Sequence, residues 1–433
     1  MNGGLSMVEM KSGYKMTEVG VIPEDWEVKE FNETFSVIPN NSLSRDYLNA
    51  QAGEYHDIHY GDVLIKYGAL LDAGDTEIPF INKAITDKWV NRRIVTEGDI
   101  IMADTAEDNT VGKCSEVINV NHKKIVSGLH TFWLHPNEGL FEKGFLGYFM
   151  NHSLYHNQLL PLIHGTKVSS VSKNEILGTR VLVPLKNEQT AIATALSDVD
   201  SLISALIKKI EKKKAIKQGL MQQLLTGKKR LPGFCGDWIK KNVSSVSDIF
   251  RGGSPRPIEN YIVKSGGVNW IKIGDVDSSA KYIFRTNEQI IESGIQYSRF
   301  VHSGDLLLSN SMSFGRPYIL KTEGCIHDGW LVIQNYDKYF DKEFLYYLLG
   351  SDEVLKQYKS LAAGSSVLNL NKDIVGKVVL YFPPSISEQT AIANILSDCD
   401  SEIAALEEKR DKYKEIKQGM MQQLLTGKIR LIK

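Results

Sequence analysis

A stretch of 44 residues occurs twice in this chain, and the second copy begins 200 residues after the first. The copies span 188–231 and 388–431, and 31 of the 44 positions are identical without a gap. The segments in front of them, roughly 16–187 and 232–387, are alike only in short patches. The chain therefore contains one repeated unit, and each copy follows a segment that differs from the other. This arrangement predicts a fixed scaffold that holds two independently variable surfaces.

The repeat has the pattern of a long amphipathic helix. Apolar residues recur at spacings of four and three, which is a heptad seam. The seam comprises Ile192, Leu196, Val199, Ile203 and Leu206 in the first copy and Ile392, Leu396, Ile403 and Leu406 in the second. A further apolar face is predicted at Ile216, Leu220 and Leu224, and again at Ile416, Met420 and Leu424. Thr-Gly at 226–227 and 426–427 would stop each helix after about 30–38 residues, roughly 45–57 Å.

A narrow seam on so long a helix requires one partner helix. The other copy in the same chain is the nearest candidate, and antiparallel packing would create a pseudo-twofold axis. Two separate helices, each capping its own domain or pairing between chains, are the alternative. The predicted fold class is therefore α+β, with two α/β domains separated by two long antiparallel coiled-coil helices. The predicted domains are 1–187, 188–230 (the first long helix), 231–387 and 388–433 (the second long helix).

The two variable segments share several short signals. Gly98-Asp99-Ile100-Ile101 is echoed by Gly304-Asp305-Leu306-Leu307, and a Gly-Asp turn before an apolar run is a common β signal. A helix is predicted at 145–150 and at 344–349, followed by a loop, a short strand that ends in proline, and the long helix. Each segment therefore reads as an α+β domain rich in short strands.

Composition places the chain among folded soluble proteins, with 42% apolar and 24% charged residues. We expect a cytoplasmic protein without a membrane segment, because no apolar run approaches roughly 20 residues and no signal peptide is visible. The four cysteines form no CxxC pair, which favours free thiols in a reducing compartment over zinc ligands or disulfides.

Positive charge is concentrated in one place although the formal net charge is −1. Between Lys208 and Arg230 there are nine Lys or Arg residues against Glu211 alone. A solvated helix face explains most such runs, while an electrostatic contact with an acidic partner, protein or nucleic acid, is the functional alternative.

Polar loops in both variable segments carry side chains that suit base edges and phosphates, because Asn can pair with adenine, Arg with guanine, and Ser with phosphate or base. The DNA-binding candidates of the first segment are Ser42, Arg45, His59, Lys66, Lys167 and Ser169. Those of the second segment are Arg251, Ser254, Arg256, Ser309, Asn310, Ser311, Arg316, Ser365 and Ser366. Loops of this composition are often only turns.

Signals for catalysis are missing. The sequence has no GxxxxGK[ST], HExxH, GxSxG or GxGxxG pattern. His56 and His59 lack a third ligand at a suitable spacing, so no metal site is predicted. We therefore expect a chain that performs no chemistry alone, with no catalytic residues.

The repeated EQTAIA…LSD.D…IKQG.MQQLLTGK.RL, each copy preceded by a strand ending in proline, closely resembles the specificity subunit of type I restriction–modification enzymes. The resemblance covers nearly the whole chain. Gly-Gly-Ser-Pro at 252–255 and Gly-Asp-Leu-Leu at 304–307 add to it, as do 103–108 (ADTAED) and 127–130 (SGLH) in the first segment. The Gly-Gly-Ser-Pro run has no counterpart in the first segment, so its base-contacting geometry is expected to differ.

The resemblance implies that each variable segment is a target recognition domain for one half of a split, asymmetric DNA sequence. The two helices would fix the distance between the half-sites. Two methyltransferase subunits would bind the chain, and restriction subunits would complete the complex. S-adenosylmethionine, ATP and magnesium would belong to those partners, with no cofactor in this chain. A cytosolic coiled-coil adaptor that binds proteins is the competing reading, and an enzyme with an unrecognised site is a third.

Overall fold

The computed structural model describes residues 12–86, 93–165, 167–277, 280–310, 314–363 and 369–432. The chain divides into two compact units. Unit 1 comprises Met1–Leu206 with Lys409–Lys433, and unit 2 comprises Ile207–Glu408. Each unit thus combines one variable segment with part of both long helices.

Unit 1 contains many short strands and a few short helices. Its strands are β1 (Tyr14–Thr17), β2 (Gly20–Pro23), β3 (Glu27–Glu30), β4 (Phe35–Ile38), β5 (Leu48–Asn49), β6 (Tyr55–Ile58), β7 (Leu70–Asp72), β8 (Phe80–Ile81), β9 (Ile100–Ala103), β10 (Thr105–Ala106), β11 (Cys114–Ile118), β12 (Lys124–Ser127), β13 (Thr131–Pro136), β14 (Ser169–Ser170) and β15 (Arg180–Val183). Its short helices are α1 (Phe31–Thr34), α2 (Tyr60–Ile65), α3 (Lys83–Thr86), α4 (Phe145–Met150), α5 (Ser153–Leu159) and α6 (Lys173–Ile176), and the long helix α7 (Lys186–Leu224) follows.

Unit 2 repeats this plan. Its strands are β16 (Ile239–Asn242), β17 (Asp248–Arg251), β18 (Ile262–Val263), β19 (Val268–Ile271), β20 (Tyr282–Ile283), β21 (Glu288–Ile290), β22 (Arg299–Val301), β23 (Leu306–Ser309), β24 (Pro317–Leu320), β25 (Gly324–Ile326), β26 (Trp330–Gln334) and β27 (Val379–Phe382). Its short helices are α8 (Lys342–Leu349), α9 (Asp352–Ala362) and α10 (Lys372–Lys377), and the long helix α11 (Ile386–Leu424) follows.

The central sheet is the same in both units. Its strand order is β4-β13-β9-β11-β7 in unit 1 and β17-β26-β23-β24-β20 in unit 2. In each case four strands run antiparallel to their neighbours and the last pair, β11 with β7 or β24 with β20, is parallel. Two segments with little sequence in common therefore fold onto one sheet topology.

The second sheet also has the same topology in both units, apart from one added strand among the described residues. Its order is β12-β6-β8-β5 in unit 1, and the strands β25-β19-β21-β18 of unit 2 follow the same order. In both units the first pair is parallel and the next two pairs are antiparallel. Unit 2 adds β22 beside β25.

The Gly-Asp turns have the structural role predicted from the sequence. Gly98 and Gly304 have positive φ values of 87° and 101°, and β9 and β23 begin two residues later as fully buried strands. The carboxylate of Asp99 accepts from the Trp133 indole N–H at 2.8 Å. These turns set the start of the central strand in each sheet.

Each long helix has 39 residues, which is slightly longer than the predicted 30–38. Both end before a glycine of positive φ, at Gly227 and Gly427. Ile192, Leu196, Ile392 and Leu396 are buried, but they pack into the apolar core of the globular part as well as against the other helix. Ile203, Leu206 and Ile403 are also buried, whereas Val199 and Leu406 are half-buried.

The helices pair antiparallel within each unit. In unit 1, Lys417 pairs with Asp200 and Arg430 pairs with Glu188, so residue numbers rise along one helix as they fall along the other. Unit 2 has the equivalent pairs Lys217–Asp400 and Arg230–Glu388. The two-helix scaffold and the internal repeat predicted from the sequence are confirmed.

One tyrosine in each unit joins the globular part to this helix pair. Tyr148 on α4 donates to Asp200 at 2.8 Å, and Tyr347 on α8 donates to Asp400 at 2.6 Å. Burial and the neighbouring carboxylate raise the pKa of both tyrosines, so both hydroxyls remain donors at neutral pH. Asp200 and Asp400 lie off the heptad seam, and these hydrogen bonds anchor the globular part of each unit to its helix pair.

Within the described residues, α7 is long and apolar enough to cross a membrane, judged by length and composition alone. Its apolar residues Ile192 and Leu196 are fully buried in a protein core, and Asp200 in its middle is paired with Lys417. Ile192 and Leu196 belong to the hydrophobic core of unit 1.

Candidate nucleic-acid interface

The central strands of the two units end at equivalent positions. After β9 the backbone N–H of Asp104 donates to the His130 carbonyl at 3.1 Å. After β23 the backbone N–H of Asn310 donates to the Gly329 carbonyl at 3.0 Å. The turn 128–130 in unit 1 and the turn 327–329 in unit 2 are therefore structural counterparts. We call each of them the recognition turn of its unit.

Two further loops join each recognition turn. The loop after the first strand of the central sheet, 39–44 in unit 1 and 252–257 in unit 2, bonds to it, as described below. The loop before the last short strand also returns to this edge, because Val171 donates to the Asp104 carbonyl and Leu370 to the Asn310 carbonyl. Three loops thus meet at one edge of each central sheet.

In unit 2 the loops converge on Asp328. Its carbonyl accepts from Arg251 Nε at 3.1 Å and from Asn310 Nδ2 at 2.9 Å. Its carboxylate accepts from the Ser254 hydroxyl at 2.8 Å and lies 3.5 Å from Arg256 Nη2. Four of the residues predicted to bind DNA are therefore organised around a residue that was not predicted.

The charges of this cluster are only partly balanced. Burial raises the pKa of Asp328, but the Ser254 hydroxyl, His327 and Arg256 together hold it below its usual value. Burial lowers the pKa of His327, so its imidazole is neutral at pH 7. Arg256 remains 79% exposed. The turn adjoins a cavity of about 800 Å³ that Trp270 and Lys272 also line.

In unit 1 the corresponding turn is held by asparagine amides. Asn40 Nδ2 donates to the carbonyls of Gly128 and Thr131 at 3.0 and 2.9 Å. Asn41 Nδ2 donates to the buried carboxylate of Asp57 at 2.6 Å. Burial raises the pKa of Asp57 to about 7. Neither asparagine was among the predicted site residues.

Arg45 and His59 lie beside this turn in different roles. Arg45 is half-exposed and pairs with Asp62 at 3.1 Å. His59 is buried and caps α2 by accepting from the Gly61 N–H at 3.2 Å, and burial lowers the pKa of its ring. His59 is thus part of the fold, and we remove it from the DNA-contacting candidates. Ser42 next to Arg45 is exposed.

Two candidates of unit 2 are also internal. Ser309 is fully buried, and its hydroxyl accepts from the Arg316 N–H at 3.1 Å. Asn310 is 2% exposed, and its side-chain amide donates to the Asp328 carbonyl. Both side chains close the turn rather than face solvent. The sequence could not distinguish a polar side chain that closes a loop from one that extends out of it.

The remaining candidates are spread over several places. Lys167 is exposed, and Ser169 lies in β14, which pairs with β10 beside Asp104. Lys66 donates to the Glu77 carbonyl at 2.6 Å and lines a cavity of about 410 Å³ with Lys123, at the opposite end of β12 from the recognition turn. Ser311, Ser365 and Ser366 lie outside the described residues.

Arg316 is separated from the Asp328 cluster. It lines a cavity of about 630 Å³ together with Lys217, Tyr346 and Asp400, on the side of the unit that meets the long helices. Its guanidinium lies 5.9 Å from the Tyr318 ring centroid. Arg316 and Arg256, both DNA-binding candidates, therefore line different cavities of unit 2.

Among the described residues, no three His, Cys, Asp or Glu side chains are grouped so that they could hold a metal ion. The polar groups at the sheet edge are instead suited to hydrogen bonding and to ion pairing with phosphate.

The face of each long helix opposite the seam has the same residues in both copies. They follow spacings of three and four, and each is exposed or half-buried. In the first copy they are Asp198, Ser201, Ala205, Lys209, Lys212, Ile216, Gly219 and Gln223, and the second copy repeats all eight at 398, 401, 405, 409, 412, 416, 419 and 423. We call these residues the outer stripe.

Ile216 and Ile416 are the large apolar residues of the outer stripe, with 44% and 41% exposure. The sequence placed them on a further apolar face with Leu220 and Leu224. Leu224 is buried and Leu220 is half-buried, whereas Ile216 and Ile416 are exposed.

A family model described as the type I restriction modification DNA specificity domain matches residues 23–218 and 236–418. The chain belongs to this family. The two matches cover the two variable segments and much of both helices, in agreement with the internal repeat. The resemblance identified from the repeated helix motif is confirmed.

Relatives in the same family extend over almost the whole chain. The protein named as the MjaX specificity subunit of a type I restriction enzyme in Methanocaldococcus jannaschii is 24% identical over 436 residues, covering 97% of each chain. The MjaVIII specificity subunit of the same organism is 25% identical over 440 residues, covering 95% of this chain and 94% of its own.

Solved structures show the same fold. The S subunit of a type I restriction–modification system from M. genitalium has a TM-score of 0.56 at 13% identity, with 92% of this chain and 96% of that chain covered. A chain from a study of complex assembly and conformational transition of the type I R-M system has a TM-score of 0.55 at 17% identity, with 94% and 99% covered. The chain therefore functions in DNA target recognition as a type I specificity subunit. The competing adaptor reading is not supported.

Proposed function

We propose that the chain recognises a split, asymmetric DNA sequence and that each unit reads one half of it at the three-loop edge of its central sheet. The observation that carries this proposal is that equivalent edges of one sheet topology present different side chains. Unit 1 offers Gly128-Leu129-His130, and unit 2 offers His327-Asp328-Gly329. Two sheets of the same topology that carry different residues in their recognition turns are suited to binding two unrelated half-sites.

The exposed groups at these edges fit contacts with a duplex. Arg256 in unit 2 can reach a guanine edge or a phosphate, and Lys167 and Arg45 in unit 1 can reach phosphates. With a formal net charge of −1, the chain alone supplies little non-specific attraction to DNA. We therefore expect weak binding by the isolated chain and strong salt dependence in the complete complex.

The outer stripe supports two copies of one partner. Exposed and half-buried residues on a helix are under little packing constraint, yet all eight positions match in both copies, while the exposed position occupied by Leu202 and Glu402 differs. A surface duplicated in this way suits two identical subunits, and we assign it to two methyltransferase subunits. Restriction subunits would then join the complex. S-adenosylmethionine, ATP and magnesium would be bound by those partners.

In this proposal the chain is non-catalytic and cytoplasmic. It contributes sequence recognition and geometry, and the chemistry belongs to its partners. A purified chain that methylated or cut DNA with no partner present would contradict the non-catalytic assignment.

The test is to map methylated adenines on DNA exposed to the complex of this chain with its methyltransferase subunits. Arg256→Ala should lower methylation by weakening the half-site read by unit 2, and Lys167→Ala should weaken the half-site read by unit 1. Lys321→Ala, an exposed cation at the far end of β24, is the matched control. Equal loss at both half-sites from either variant would contradict the assignment of one half-site to each unit.

A further inference from the structure

Asp328 occupies the tip of the recognition turn in unit 2, and its backbone is fixed more firmly than that of a surface loop. Its carbonyl accepts hydrogen bonds from Arg251 at the end of β17 and from Asn310 directly after β23. Gly252 and Gly329 pack so closely around the turn that an added Cβ would lie 2.1 Å from the His327 carbonyl oxygen in the first case and 2.3 Å from the His327 ring in the second. The carboxylate is therefore held in one place before any ligand arrives.

The carboxylate keeps acceptor capacity. A carboxylate has about four lone-pair sites, and the strong bond to Asp328 comes from Ser254 at 2.8 Å. Arg256 at 3.5 Å is too distant for a good hydrogen bond. The side chain is 37% exposed and borders the cavity of about 800 Å³. It can therefore accept from an incoming N–H donor while Ser254 remains bound.

The counterpart position in unit 1 has no charge. Leu129 takes the place of Asp328, and the next residue, His130, pairs with Asp104 at 3.4 Å. Gly128 precedes it, where an added Cβ would lie 2.3 Å from the buried Asp57 carboxylate. In unit 1 the carboxylate of Asp57 is therefore buried beneath the turn, whereas in unit 2 the carboxylate of Asp328 lies at the tip of the turn and is partly exposed. The difference lies at the position best placed to touch a base.

We propose that Asp328 is the specificity-determining residue of unit 2 and that its carboxylate accepts from the exocyclic amino group of a cytosine in the major groove. Aspartate is a natural acceptor for cytosine N4, and Arg256 beside it is a donor for the O6 and N7 atoms of guanine. Asp328 and Arg256 together therefore select a cytosine and a guanine within one half-site. At the same position in unit 1, Leu129 selects against an amino group and suits a thymine methyl.

This inference rests on the proposed function, and a selection experiment separates the two. The full chain with its methyltransferase subunits is used to select sequences from a random DNA library, for the parent chain and for Asp328→Asn. If the parent chain selects no split sequence, the proposed function fails. If it selects one and the variant selects identical bases, the proposal for Asp328 fails.

The expected result is a change at one base position of one half-site. Asparagine can both donate to adenine N7 and accept from its N6, so Asp328→Asn should lose cytosine preference by about 5- to 150-fold and gain adenine. The other half-site should be unchanged. Asp337→Asn, an exposed carboxylate beyond the other end of β26, should select the parent sequence. Loss of both half-sites by Asp328→Asn at an unchanged melting temperature would overturn the proposal.

Discussion

Arg430 and Glu188 form a bidentate ion pair, with Nε–Oε1 at 2.5 Å and Nη2–Oε2 at 2.7 Å, and the Glu188 side chain is fully buried. Trp26 donates its indole N–H to the same carboxylate at 2.8 Å. Arg230 and Glu388 form the equivalent bidentate pair in unit 2. Each pair locks the end of one long helix to the beginning of the other within its unit.

Removing one partner of such a pair should be costly. Arg430→Ala leaves the Glu188 carboxylate buried with only the Trp26 indole to stabilise it, so we expect the free energy of unfolding to fall by roughly 3–5 kcal/mol. Urea unfolding measures this directly. Lys356→Ala, which breaks the exposed pair with Glu353, should change it by less than about 1 kcal/mol. Equal effects of the two variants on the free energy of unfolding would mean that the Arg430–Glu188 pair contributes no more to stability than an exposed ion pair.

The tyrosine anchors allow a milder test. Tyr148→Phe removes only the hydroxyl that bonds to Asp200 and should lower the free energy of unfolding by about 1.5–3 kcal/mol, because the acceptor is charged. Tyr347→Phe should have a similar effect in unit 2. Tyr47→Phe, at an exposed tyrosine, is the control. Thermal unfolding of all three variants should rank the control closest to the parent chain.

The buried Asp57 should make stability depend on pH in an unusual direction. Burial raises its pKa to about 7, compared with 3.8 in the unfolded chain. Between these two pH values the folded chain holds a proton that the unfolded chain has released. This contribution to stability is complete below pH ~4, is lost as pH rises to ~7 and is constant above that. The slope from one such group is at most about 1.4 kcal/mol per pH unit.

Asp57→Asn should remove that slope while keeping an oxygen for Asn41 to bond. Unfolding in urea from pH 4.5 to 8 would show it, with Asp108→Asn at an exposed carboxyl as the comparison. Burial also raises the pKa of Glu116 to about 7, so a second slope of the same sign should remain in the variant. A pH profile unchanged by Asp57→Asn would mean that this carboxyl is ionised in the fold.

The outer stripe predicts partner stoichiometry. Ile216→Asp should leave the fold intact, since exposed substitutions rarely exceed about 0.5 kcal/mol. It should also weaken the binding of one methyltransferase subunit by at least about tenfold. Ile216→Asp with Ile416→Asp should weaken both. Native mass spectrometry counts the bound subunits. Ile207→Glu is the matched control, because the second copy already has Glu407 there.

A matched insertion tests whether the helices set the distance between half-sites. The units divide at Leu206/Ile207 and at Glu408/Lys409. Seven residues inserted at both points lengthen each helix by roughly 10 Å, so the preferred spacer in the DNA should grow by about three base pairs. A seven-residue insertion beside Gly266, in a loop of unit 2, should leave the spacer unchanged. An unchanged spacer in the helix variant would show that the helices do not set the distance between the half-sites.

The sequence was most informative where local pattern and global fold coincide. The heptad seam, the Thr-Gly helix ends and the Gly-Asp turns each depend on nearby residues, and each was found as predicted. The strand order of the central sheet was not predicted, because pairing between β13 and β9 joins residues about 30 positions apart. Nothing local encodes that choice.

The candidate site was predicted only in outline. The sequence identified the loops that contain Arg251, Ser254 and Arg256, but not Asp328, whose place among them depends on the pairing of β26 with β17 and β23. It also included Ser309 and His59, since a polar side chain that closes a turn has the same letter as one that binds a ligand. Burial made the distinction.

The two tyrosine–aspartate anchors have an evolutionary consequence. They attach unlike globular segments to similar helices through the same hydrogen bond in both units, in addition to the apolar packing around Ile192 and Ile392. Evolution can therefore exchange one globular segment for another that keeps this contact, which under the proposed function changes the target sequence and leaves the outer stripe unaltered.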